Sequence, residues 1–81
     1  MKDTLLYLTT HLVDHPESVA VDENTEEEKT ILTLHVHPED MGKIIGKSGR
    51  IIRAIRDLVK IIAAKQNSYV DIVLADSESP L

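Results

Sequence analysis

Four residues near the middle of the chain, Gly46-Lys47-Ser48-Gly49, lie between the apolar pairs Ile44-Ile45 and Ile51-Ile52, with Lys43, Arg50 and Arg53 close by. Two glycines around two polar residues allow a tight turn with no Cβ in the way, so an extended anionic chain can approach the main chain closely. A helix expected to start at Arg50 turns its free N–H groups toward the same place, and phosphate suits both features. Lys47 projects from the tip of the turn, and Arg50 and Arg53, three apart, put positive charge along one side of the following helix. A glycine that merely ends a helix explains Gly46, but not Gly49, the flanking isoleucines and the basic run together.

The net charge of −5 runs against a phosphate partner until its distribution is read. Residues 41–65 hold seven cations against the single anion Asp57, a net +6, while the rest of the chain sets Lys2 and Lys29 against thirteen carboxylates, a net −11. Such asymmetry turns an anionic partner toward one face and repels it from the others. A helix carrying charge only for solubility would have the same composition.

Competing chemistries fit less well. Residues 42–48 read GKIIGKS, one residue short of the nucleotide-binding loop spacing. They follow a helix instead of a buried strand, and no second acidic motif for magnesium accompanies them. Ser48 has no base beside it in sequence that would make it a nucleophile. The absence of cysteine removes disulfides, thiolate metal sites and cysteine catalysis. His35 and His37 share one strand face, and His11 and His15 are four apart; both spacings suit a metal, but no third ligand is near in sequence and the histidines read as solvated. No catalytic residue, cofactor or metal is therefore expected, and the chain reads as a binding module and not an enzyme. Tyr7 and Tyr69 are the only aromatic residues, so bases would meet aliphatic and hydrogen-bonding groups instead of a stacking platform.

The elements that must position the loop follow from periodicity. Leu5, Leu6, Leu8, Leu12 and Val13 recur at helical spacing, and a first helix capped by Asp3 or Thr4 should end near Asp14, because the residue before Pro16 is pushed out of the helical region. A short strand is expected over 18–22, a polar acidic loop over 22–29, and a strand over 30–37 in which Leu32, Leu34 and Val36 alternate with Thr33, His35 and His37. Pro38 opens a short helix over 39–45. From Arg50 to about Gln66 a longer helix carries a broad stripe of Ile51, Ile52, Ile55, Leu58, Val59 and Ile62, and a last strand spans 69–75. A right-handed crossover makes the last strand parallel to the one before the helices.

The predicted architecture is α+β: an α-β-β-α-α-β chain with a mixed three-stranded sheet and three helices on one face. At 81 residues it is one domain, 1–76, with a flexible tail over 77–81. No apolar run approaches the roughly 18 residues of a spanning helix and no secretory signal is evident, so no membrane is expected and the cytoplasm is the default location.

The segment Ile44-Ile45-Gly46-Lys47-Ser48-Gly49-Arg50-Ile51-Ile52 resembles the KH signature: an apolar pair, a GxxG loop with a basic residue inside it, then an apolar-rich helix. A KH loop of this kind clamps four backbone nucleotides. With a helix and a strand before the core, the order resembles the type II, prokaryotic form of the fold, and the whole chain is similar to the small bacterial KH proteins of the KhpA family. The resemblance implies binding of single-stranded RNA in post-transcriptional regulation or as an RNA chaperone. Gly46, Lys47, Ser48 and Gly49 would hold the backbone, with Lys43, Arg50 and Arg53 beside them and Ile44 and Ile45 lining a groove for bases. It also implies a homodimer, or a heterodimer with another KH-domain protein, for which the strand over 19–22 offers a sheet edge. Ser48 stands where many members of the family carry a second basic residue.

Overall fold

Leu32 and Leu34 are wholly buried while Thr33 and His35 are not, an alternation that belongs to β2 (Lys29–His35), the middle strand of three. The computed structural model describes residues 1–75, so the expected tail over 77–81 lies outside the described residues. β1 (Ala20–Glu26) pairs with β2 antiparallel, from Ala20 opposite His35 to Glu26 opposite Lys29. β3 (Tyr69–Leu74) pairs with the other edge of β2 in parallel, from Tyr69 beside Lys29 to Leu74 beside Leu34. Parallel neighbours cannot be joined by a tight hairpin. The chain between β2 and β3 therefore crosses the sheet, and it does so through α2 (Met41–Ile45) and α3 (Arg50–Lys65). With α1 (Lys2–Thr10) ahead of β1, the order is α-β-β-α-α-β with a mixed sheet, as the sequence predicts.

One apolar core joins the helices to the sheet. Leu5 of α1, Ile44 of α2, and Ile55, Val59 and Ala63 of α3 pack on Val21, Leu32, Leu34, Val70 and Ile72. Each fully buried leucine or isoleucine stabilises the fold by about 1.5–3 kcal/mol relative to exposure. The buried row of α3 is narrower than its apolar stripe. Burial follows a spacing of four through Ile55, Val59 and Ala63, whereas Leu58 and Ile61 are 44% and 59% exposed.

Beyond shifts of one or two residues at the element ends, three boundaries differ from the sequence-based expectation. The acidic stretch over 22–29 is not a loop: β1 runs to Glu26, and only residues 27–28 make the turn, with Glu27 at φ 57°. Main-chain pairing with β2 carries these polar residues along, since the ladder is indifferent to side chains that point into water. α1 stops at Thr10, short of Asp14. There the Tyr7 carbonyl accepts from Thr10 Oγ1 at 3.1 Å and from His11 Nδ1 at 2.8 Å, side-chain donors that compete for the acceptor a continuing helix would use. The expected helix over 39–45 is divided into a 3-10 turn, Pro38–Asp40, and α2.

The segment after α1 is fastened to the crossover by Asp40, which is 1% exposed. Its carboxylate accepts from the Asp14 N–H at 3.2 Å and the His15 N–H at 2.9 Å. Burial pushes this carboxyl up, but the two main-chain bonds, with the charges of His15 and Lys43, outweigh it and hold the group below its ordinary value. A lowered carboxyl contributes stability that is present above the unfolded value, near pH 4, and lost as pH falls through the folded one. Asp40→Asn should therefore be less stable than the wild type by a constant margin above about pH 5, and the margin should narrow on acidification below about pH 4. Urea denaturation at pH 7 and pH 3 measures this; margins equal at the two pH values would contradict it.

Candidate nucleic-acid interface

α2 ends at Ile45, and the chain leaves it at Gly46 with φ 74° and ψ 176°, a region essentially reserved for glycine. A Cβ at this position would overlap Ile51 Cγ1 and come within 2.8 Å of Ile51 Cβ, so α3 begins pressed against the Gly46 main chain. Residues Lys47–Gly49 form one 3-10 turn closed by the Gly49 N–H to the Gly46 carbonyl at 3.2 Å. Ser48 (φ 57°, ψ 27°) and Gly49 (φ 74°, ψ 17°) are both left-handed, which swings the chain into α3. For Ser48 that conformation costs about 1–2 kcal/mol. Arg53 Nη2 donates to the Ser48 carbonyl at 2.9 Å and braces the turn from the next helix.

The result is a rigid tip with an open front. Lys47, Ser48 and Arg50 are exposed, and Gly49, at the N-cap of the 16-residue α3, supplies no side-chain cap to the helix start, where the Arg50 N–H already donates to the Lys47 carbonyl. Uncapped N–H groups at the positive end of a helix dipole, with Lys47 and Arg50 beside them, suit an anion whose backbone can lie along the turn.

The structure gathers some of the expected site residues and diverts others. Gly46, Lys47, Ser48, Gly49 and Arg50 make the tip, and Arg53 points back to it. Lys43 pairs with Asp14 at 3.1 Å, and that bond and charge raise its ordinary value. Ile44 departs from the expectation that it lines a groove for bases: it is wholly buried in the core, the inward side chain of a five-residue helix. Ile45 and Ile51, 39% and 38% exposed, are the aliphatic side chains beside the turn that reach solvent.

The lower half of the basic island has a different occupation. Asp71 of β3 draws Arg56 Nη2 and Lys60 Nζ to 3.6 Å each and Lys29 Nζ to 3.7 Å. Partial burial pushes its carboxyl up, but the Ile72 N–H bond and the charges of Lys60, Lys29 and Arg56 hold it below its ordinary value. The sequence hid this pairing, because it depends on how β3 packs against α3 and on Lys29 from β2, which only the fold brings together. It likewise hid a metal-competent cluster, His15, His37 and Glu39, whose ligand atoms lie within 4.8 Å of one another. The neighbours in sequence go elsewhere: His35 contacts Asp22 at 2.9 Å, and His11 lies against Tyr7.

The family described as KhpA/KhpB, KH domain, matches residues 2–74. A protein named RNA-binding protein KhpA from Clostridium perfringens is 53% identical over 70 residues, 86% of this chain and 93% of the relative. Relatives of the same name from Listeria monocytogenes and Halalkalibacterium halodurans are 44% and 41% identical, covering 86% and 94% of this chain and 92% and 100% of their own lengths.

The two glycines of the turn should respond differently to a methyl group. Gly46→Ala meets both a forbidden backbone region and the Ile51 side chain, and should destabilise by about 2–5 kcal/mol. Gly49→Ala meets open space and only the left-handed penalty, about 1–2 kcal/mol. Urea denaturation of both variants checks the ranking, and equal losses would mean that α3 does not pack on Gly46 as described.

Proposed function

Because the chain belongs to the KhpA/KhpB KH-domain family, we propose that it binds single-stranded RNA, with the Gly46-Lys47-Ser48-Gly49 turn against the sugar-phosphate backbone. One observation carries the reading: an exposed turn with two left-handed residues leads straight into the uncapped N-terminus of a long helix. The relatives are named RNA-binding protein KhpA, which supports the same partner.

In this reading Lys47 and Arg50 neutralise phosphates, and main-chain N–H groups at the start of α3 supply the remaining donors. Arg53 acts through the Ser48 carbonyl as a brace. Lys43, held by Asp14, contributes charge but not reach. Ile45 and Ile51 offer aliphatic surface to unpaired bases, and duplex RNA, whose bases are stacked away, would forfeit that contact. The activity is binding, as in post-transcriptional regulation or RNA chaperoning in the cytoplasm, and no bond-making step is assigned to the site. Among the described residues no helix is long and apolar enough to cross a membrane.

Pairing with a second copy or another KH-domain protein is the companion reading, and we assign it to a face other than the edge of β1. β1 is an edge strand, but Asp22, Glu23 and Glu26 line it with exposed negative charge, which repels a like edge. The exposed apolar residues Tyr7, Leu12 and Leu58 instead border a cleft of about 390 Å³ between α1 and α3. Light scattering at tens of micromolar should give the mass of two chains, and Leu58→Asp should give one; a single-chain mass for the wild type would reject self-pairing.

For RNA, two exposed cations on a single strand predict a log–log salt slope near −1.4, from roughly −0.7 per phosphate. Lys47→Ala should make the slope shallower by about 0.7 and weaken all sequences alike. Arg53→Ala should weaken binding at every salt concentration with a smaller change of slope. Lys47→Asp with Ser48→Asp should abolish binding and leave the thermal midpoint nearly unchanged, since both side chains are exposed. A double variant that is folded and binds like the wild type would remove the turn from the site.

A further inference from the structure

The imidazoles of His15 and His37 stack beside the turn that opens the crossover, ring centroids 4.0 Å apart and planes inclined by 21°. Glu39 Oε1 lies 3.2 Å from His15 Nε2, and Glu17 Oε2 lies 3.7 Å from His15 Nδ1 on the other side of that ring. We propose that His15, His37 and Glu39 form a binding site for a divalent transition-metal cation of the zinc class, with water completing the coordination.

Two imidazole nitrogens and one carboxylate oxygen are a donor set that zinc accepts in four-coordinate sites with an open position. Bonds of about 2.0–2.1 Å at tetrahedral angles place neighbouring donor atoms about 3.3 Å apart, the spacing the His15–Glu39 pair already has. The three ligand atoms stand within 4.8 Å of one another, so closing on an ion takes only side-chain rotation. Glu39 is exposed and supplies it. His15 then binds through Nε2 and turns Nδ1–H toward Glu17, the carboxylate–imidazole–metal arrangement that fixes the tautomer and makes the ligand more basic.

His37 brings an opposing effect. Its Nδ1 accepts the Glu39 main-chain N–H at 3.0 Å, so in the neutral ring the proton sits on Nε2. An ion on Nε2 moves that proton to Nδ1 and leaves the Glu39 N–H without its acceptor. Losing that partner makes this site weaker than one whose second imidazole nitrogen is already hydrogen-bonded as a donor. It also gives the site a specific signature, a shifted Glu39 amide. An ion here adds a second tie, next to Asp40, between the segment after α1 and the base of α2, and it stands apart from the RNA reading.

Calorimetric titration of the metal-free full chain with zinc chloride should show one ion per chain. Glu39→Gln, a change at an exposed side chain, should weaken binding at least tenfold, as should His15→Ala and His37→Ala where circular dichroism shows them folded. His11→Ala and His35→Ala should bind as the wild type does. In ¹⁵N spectra zinc should move the Glu39 amide, and at tenfold excess over the dissociation constant it should raise the thermal midpoint by about 6–11 °C. Absence of saturable binding, wild-type affinity in Glu39→Gln, or loss in His35→Ala would overturn the proposal.

Discussion

No side chain fits at position 46, and the turn between α2 and α3 depends on that close approach. The Gly46 main chain lies against Ile51, which lets α2 and α3 meet at a corner only four residues wide. The corner exists because β2 and β3 are parallel and the chain must cross the sheet between them. A wider corner would satisfy that topology equally well. A narrow one fixes the turn relative to the helix that follows, so the N–H groups of α3 and the side chain of Lys47 address one place. Ser48 accepts a strained conformation there, and Arg53 holds it. Preformed geometry of this kind spares a ligand the entropy of ordering the loop.

Charge is arranged by the same economy of position. A chain of net charge −5 offers nucleic acid little attraction on average. Asp71 gathers Arg56, Lys60 and Lys29 at one end of the island, and Asp14 takes Lys43. Lys47 and Arg50 at the turn take no carboxylate among the described ion pairs. What remains is a small positive tip on an acidic body, a charge pattern that the proposed RNA contact at the turn would use to orient its ligand.

The fold was legible in the sequence where a physical rule acts locally. Alternation at Leu32, Leu34 and Val36 marked the central strand, the glycine pair marked the corner, and the long apolar stripe marked α3. The reach of β1 was not legible, because Asp22, Glu23 and Glu26 carry no strand signal and are ordered only by the partner strand. At the site, the residues of the turn could be named from spacing alone, but Ile44 and Ile45 could not be told apart: neighbours in a short helix, they differ only in which one the sheet covers. Asp71 and the His15–His37–Glu39 cluster were invisible for a similar reason, since each joins segments that only the tertiary fold brings together.

The central claim, that the turn between α2 and α3 is where single-stranded RNA lies, is tested most directly by following backbone amides of the ¹⁵N-labelled chain as a short unstructured RNA is added. The account predicts that the largest shifts fall on residues 46–52, with smaller ones on Ile45 and Arg53. Shifts confined to the open sheet face around Thr33 and His35, or to the cleft between α1 and α3, with the amides of the turn unmoved, would contradict it.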